Sequence, residues 1–216
     1  MKNVSRGVGL LFLLSTGVYL LGSGLLEPVL DRPELLAGLY PERTTVWAGF
    51  FLELINAIAV VAIGMLLYPI LKKYNEAFAL GYFGSRLIES VLLLLSAAAP
   101  LLLLALSKDF IAGGNAREPY DVTAASMLLE GYSVFFQIAM IMLGLGSLLL
   151  CTVLYRSRLI PRFLSILGYA GYAALLVSGC LTLLGQESGS ILYIPGAIFE
   201  IAFPVWLIVK GLKQRT

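Results

Sequence analysis

The sequence predicts an all-α, polytopic transmembrane helical bundle of six spans, and three observations predict it. Of the 216 residues, 59% are hydrophobic and 13% charged, against about 45–50% and about 25% in a soluble domain. Mean hydropathy is +0.92. The apolar residues also come in long runs, and a run of ~20 residues at ~1.5 Å rise crosses the ~30 Å hydrocarbon layer of a bilayer. Six such runs fill most of the chain, so residues 1–216 read as one integral membrane domain with short loops.

The runs fall at 7–26, 47–71, 78–106, 124–154, 163–184 and 192–212. Lys2 and Arg6 precede the first, but it outlasts the 7–15-residue apolar core of a signal peptide and lacks an Ala-x-Ala site, so it reads as a retained span. Between the first two spans, Pro28, Pro33 and Pro41 break any long helix, leaving room for a short interfacial helix around Glu34 to Leu39. Lys72 and Lys73 lie in the turn before the third span. The loop from Ser107 to Asp121 holds the flexible turn Gly113-Gly114-Asn115. Tyr40, Trp47, Tyr155 and Tyr193, at span ends, suit the membrane–water interface.

Charge sorts the loops. One side collects ten basic residues, Lys2, Arg6, Lys72, Lys73, Arg156, Arg158, Arg162, Lys210, Lys213 and Arg215, against one acid, Glu76. The other has Arg32, Arg43, Lys108 and Arg117 against eight acids, among them Glu27, Asp31, Glu118 and Glu187. The positive-inside rule then puts both termini in the cytoplasm. Topology and anionic headgroups account for the basic side, so no nucleic-acid partner is expected.

With no histidine in the chain, the Ser-His-Asp and Cys-His systems, the HExxH zinc site and His-ligated haem are excluded. Cys151 and Cys180 both fall inside apolar runs and read as small core residues rather than a disulfide or metal pair. No cofactor and no metal site is expected. An intramembrane enzyme would have to work with glutamates, and the sequence names no scissile bond. A weak repeat relates Leu67-Tyr68, Leu80-Gly81-Tyr82 and Gly84 to Leu154-Tyr155, Leu167-Gly168-Tyr169 and Gly171 at an offset of 87. Apolar composition accounts for six such matches as readily as a parallel transporter-like repeat does.

The informative residues are the ionisable ones inside the spans: Glu53, Arg86, Glu89, Glu130 and Glu200. Each costs at least ~2.5–3.5 kcal/mol at mid-bilayer unless paired, protonated or hydrated. Counting depth at ~1.5 Å per residue, Glu53, Glu89, Glu200 and Arg86 are expected to meet near the midplane. Glu130 lies so far from Tyr155 that the outer interface suits it as well, and Gln137, two turns deeper, is the safer member of a buried cluster. Arg86 and Glu89, three apart, share a helix face. So do Glu53 and Asn56, and Ser15 and Tyr19 four apart. Gly81 and Ser85 permit close helix approach beside Arg86. Pro204 removes the amide that would satisfy the Glu200 carbonyl, which predicts a kink at Glu200.

One arginine does not neutralise three or four carboxyls. Two readings follow. In one, Glu53, Asn56, Arg86, Glu89, Gln137 and Glu200 form a polar site that binds or passes a proton, cation or small solute. In the other, Arg86 and Glu89 are a packing lock in a non-transporting bundle that sits in the lipid bilayer and acts as a partner or assembly subunit.

Several of these features together resemble a known family. They are Leu67-Tyr-Pro69, Asn75 with Ala77 and Phe78, Arg86-x-x-Glu89, the turn Tyr155-Arg-Ser-Arg-Leu-Ile-Pro-Arg162, and Glu200 with Trp206-Leu-Ile and Lys210-Gly211. The chain is similar over nearly its whole length to a membrane family of bacteria and archaea known as domain of unknown function 4386. The resemblance implies a multi-span helical protein in prokaryotes, which together with the charge asymmetry predicts a prokaryotic cytoplasmic membrane. It implies no reaction, ligand or catalytic residue, because none is assigned to the family.

Overall fold

A computed structural model describes residues 2–114, 119–186, 192 and 194–212, the side chains of Lys2 and Pro119 excepted. Asn115, Arg117, Glu118, Glu187, Tyr193, Lys213 and Arg215, given roles above, lie outside the described residues, as does the Lys2 side chain.

Among the described residues, seven helices follow in order: α1 (Lys2–Leu30), α2 (Leu35–Leu39), α3 (Arg43–Leu71), α4 (Glu76–Ala112), α5 (Pro119–Ser157), α6 (Arg162–Leu183) and α7 (Ile194–Val209). Five are long and apolar enough to cross a membrane. The sixth crossing element, α7, has 16 residues, ~24 Å of helix, and is the most uniformly apolar. This is a helical membrane bundle, and its outer faces meet lipid: Leu20, Ile58, Leu80, Ile166 and Ile201 are all exposed.

The six long helices close into a ring. Each packs on its chain neighbour, α1 on α3, α3 on α4, α4 on α5, α5 on α6 and α6 on α7, and α7 returns to α1. Two apolar cores cap the ring. One, at the end carrying the turns between α3 and α4 and between α5 and α6, gathers Val8, Leu67, Leu71, Leu154, Leu159, Ile160, Leu164 and Leu212. The other, around α2, gathers Leu26, Leu39, Val46, Leu103 and Phe110. A third and smaller cluster, Val60, Leu93 and Ala139, sits between them.

Local chemistry sets the turns. The Asn75 side chain caps α4 by accepting from the Phe78 amide at 3.0 Å. Lys72 and Glu76 pair across that turn at 2.9 Å, both largely exposed, so the pair is worth little, although the Glu76 carboxylate holds the Lys72 ammonium above its ordinary value. Arg158, with φ 56°, ends α5 in a conformation that L side chains rarely adopt. Leu159 and Ile160 after it are 1% exposed and plug the basic end of the ring.

Several boundaries differ from the sequence reading. Pro28 falls in the last turn of α1, which continues to Leu30; there a missing amide disturbs only one late bond, and the break comes at Pro33 instead. Glu27 is therefore helical. Ser107 is not in a loop, because α4 continues to Ala112. Its buried hydroxyl donates to the Leu36 carbonyl at 2.6 Å and accepts from the Tyr40 amide at 2.9 Å, and so holds the interfacial helix α2 down. Cys151 is buried, but Cys180 is exposed on the outside of α6. A small apolar thiol is as compatible with lipid as with core, so an apolar run does not say which way it points.

Candidate functional site

Among the described residues, two chambers with polar side chains set into largely apolar walls lie in the interior of the ring. The first, of about 90 Å³, is lined by Ser15 and Thr16 from α1, Asn56 from α3, Arg86 and Glu89 from α4 and Glu200 from α7. The second, of about 120 Å³, lies nearer α2 and receives Ser23 and Glu27 from α1, Glu53 from α3, Ser96 from α4 and Tyr132 and Ser133 from α5.

Arg86 and Glu89 form the tightest element. They are 3% and 2% exposed, and one guanidinium nitrogen donates to both Glu89 oxygens at 2.9 Å. The Arg86 Nε–H donates to the Tyr82 hydroxyl at 3.1 Å, and the guanidinium lies 5.6 Å from the Phe12 ring centroid and 5.4 Å from that of Tyr82. Such aromatic faces stabilise a desolvated cation. Gly64 on α3 makes the room, since a Cβ there would lie 3.2 Å from the Arg86 Cβ.

Glu200 completes the first chamber from the opposite wall. Its Oε1 accepts from the Tyr172 hydroxyl at 3.2 Å, and Thr16 stands beside the same carboxyl. Both Glu89 and Arg86 are within its electrostatic reach. Tyr172 is held by Phe199, which stacks on Phe203, which in turn meets Phe12 edge-on, with centroids 5.1–5.5 Å apart. That aromatic row fixes α6, α7 and α1 around the carboxyl. Pro204 is buried in α7 one turn beyond it.

Glu53 stands apart from this group, in the second chamber. The expected meeting of four charged residues is therefore divided: Arg86, Glu89 and Glu200 share one chamber, and Glu53 and Glu27 share the next. Asn56 links them. Its Nδ2 donates to Glu53 at 3.4 Å and its Oδ1 accepts from Ser15 at 2.6 Å. Gln137 lines neither chamber, and its buried Oε1 has no hydrogen-bond partner among the described residues. It follows Phe136 by one residue, about 100° of helix rotation: Phe136 and Met140 occupy the inward face of α5 that Gln137 misses. Glu130 is exposed. Gly81 and Ser85 lie against α5, at Leu149 and Gly146.

Among the described residues, no group of three or more His, Cys, Asp or Glu could hold a metal ion. The family model for a domain of unknown function, DUF4386, matches residues 8–211. The chain belongs to this family. The match runs from the first turns of α1 to the end of α7 and so takes in every residue of both chambers. No curated protein and no solved structure matches the chain.

Sequence reasoning misses part of this DUF4386 site. Tyr82 and Tyr172 look like ordinary apolar-run aromatics until their hydroxyls are found on Arg86 and Glu200. Ser23 and Glu27 do carry a signal: with Phe12, Thr16 and Tyr19 they recur every three or four residues along α1 and mark one face.

Proposed function

We propose that Glu200 and Glu53 take up and release a proton or small cation at membrane depth, in a protein of a prokaryotic cytoplasmic membrane with both termini in the cytoplasm. One observation carries this reading: in the first chamber a single guanidinium faces two carboxyls. Glu89 turns both oxygens to Arg86, whereas Glu200 hydrogen-bonds to the hydroxyls of Tyr172 and Thr16 and feels the Arg86 charge only at longer range. A second carboxylate that shares one guanidinium with an already paired partner is expensive at this depth, so a proton or a cation balances it. Chamber size supports the same class of ligand. Volumes of about 90 and 120 Å³ suit a few waters at ~30 Å³ each and fall well below the ~300 Å³ of a pocket for a drug-sized molecule. The orientation rests on the ten-to-four distribution of basic residues. Reporters fused after Thr216 and within Gly113 to Asn115 are expected to give cytoplasmic and external signals respectively; the same signal at both would overturn it.

A second reading is favoured by the Arg86–Glu89 pair itself, which is buried, mutually satisfied and needs no ligand. On that reading the protein is a non-transporting structural or assembly component with a packing lock. Melting temperatures of Glu53→Gln, Glu89→Gln and Glu200→Gln, read against pH and added cations, separate the two. The proposed site predicts that Glu53→Gln and Glu200→Gln stay folded and lose part or all of a pH- or ion-dependent shift. A lock alone predicts that only Glu89→Gln matters and that the unmutated protein ignores pH and ions.

A further inference from the structure

The two chambers are stacked along the bundle axis, and what separates them is apolar. On α1 the lining residues descend as Glu27, Ser23, Tyr19, Thr16 and Phe12, one per turn. The first two belong to the second chamber and the last two to the first. Tyr19 belongs to both, and so does Leu93 of α4. At the same level Phe136 of α5 stacks on Tyr19, with ring centroids 5.8 Å apart and planes 7° from parallel. Leu93, Val60 and Ala139 form a small apolar cluster of their own, distinct from the two large cores, with Phe136 packed against it. α1 and α5 are not neighbours in the ring, so the Tyr19–Phe136 stack reaches across its interior.

A polar thread passes this collar, from Ser15 through Asn56 to Glu53. Its middle member is a carboxamide, which donates through nitrogen and accepts through oxygen and does not exchange these roles as a hydroxyl or water does. The thread holds Glu53 and Ser15 in place without handing a proton from one to the other.

We infer that Tyr19, stacked on Phe136 over the Leu93 cluster, is a gate between an antechamber containing Glu27 and Glu53 and an inner chamber containing Glu200. This rests on the reading of the interior as a site for a proton or small cation. A rotation of the Tyr19 ring off Phe136 joins the two volumes into one continuous cavity; the stacked position divides them. The ring, not the hydroxyl, makes the barrier.

Thiol accessibility tests this in the full chain, with Cys180→Ser removing the exposed native thiol and the protein held in lipid nanodiscs. Ser23→Cys reports on the antechamber and Ser15→Cys on the inner chamber, each probed with the small cationic reagent aminoethyl methanethiosulfonate. With Tyr19 in place, Ser23→Cys is expected to react and Ser15→Cys to be protected. Tyr19→Ala should speed labelling at position 15 by about ten-fold or more, the effect of removing a local opening step, and leave position 23 unchanged; Tyr19→Phe should keep the protection. Phe136→Ala, which removes the other ring, should act as Tyr19→Ala does and serves where that variant does not fold. Equal labelling of position 15 with and without the stack would overturn the gate. Proton and sodium flux into liposomes reads the underlying function separately. A labelling contrast without any flux, in either the unmutated protein or Tyr19→Ala, leaves the barrier standing and removes the passage; flux without a labelling contrast keeps the passage and removes the gate.

Discussion

Replacing Glu89 with leucine is expected to destabilise the protein by about 3–5 kcal/mol, the range found when one partner of a buried ion pair is removed. Arg86 would keep its charge, because a guanidinium does not deprotonate in a protein, and it would face Phe12, Ile63 and Glu200 with its main partner gone. Arg86→Leu should cost less, since the carboxyl it abandons can be neutralised by a proton. The double leucine variant should recover most of the loss, because replacing a whole buried pair by apolar side chains is often close to neutral. Detergent unfolding curves of the three variants check this ranking. A Glu89→Leu protein as stable as the parent would show that the pair does not hold α4 in register.

Gly171→Val should be comparably damaging for a steric reason. A Cβ at Gly171 would lie 2.6 Å from the Gly196 Cα and nitrogen and 2.9 Å from the Pro195 carbonyl carbon. These are backbone atoms, so no rotamer change relieves the contact, and α7 must move away from α6. Overpacking of this kind costs typically ~1–3 kcal/mol and sometimes more, and here the shift would also carry Glu200 away from the Tyr172 hydroxyl. Gly24 provides the contrast, because a Cβ there would meet nothing within 4 Å. Gly24→Ala should be neutral or gain up to ~1 kcal/mol from helix propensity. Melting temperatures of the two variants measure the difference.

The contrast between these glycines shows where sequence reading stops. Hydropathy runs place the six long helices well, because span length is set by bilayer thickness, and the short helix α2 emerges from the prolines around it. Depth along a helix follows only coarsely from counting residues: the count brings Glu89 and Glu200 together in the first chamber, but it also puts Glu53 there, which the structure places in the second. Rotation about the helix axis is harder. A soluble helix shows its buried face by amphipathicity, whereas lipid and core are equally apolar here. Depth alone therefore assigns Gln137 and Cys180 to the interior, and the structure turns Gln137 off the chamber walls and Cys180 outward. Glu27 escapes for another reason: Pro28 beside it suggests a loop. The close meeting of Gly171 with Gly196 joins residues on different helices, and no periodicity within one helix reveals it.

Central to the proposed function is that Glu200 carries an exchangeable charge-balancing proton or cation. The most direct test is the melting temperature of the unmutated protein and of Glu200→Gln in one detergent, across a pH series and with sodium exchanged for a bulky organic cation, with Glu130→Gln as a surface control. A pH- or ion-dependent shift is expected in the unmutated protein and in Glu130→Gln, with most of that shift lost in a Glu200→Gln protein that remains folded. An unmutated protein indifferent to pH and ions, or a Glu200→Gln protein that keeps the full shift, would contradict it.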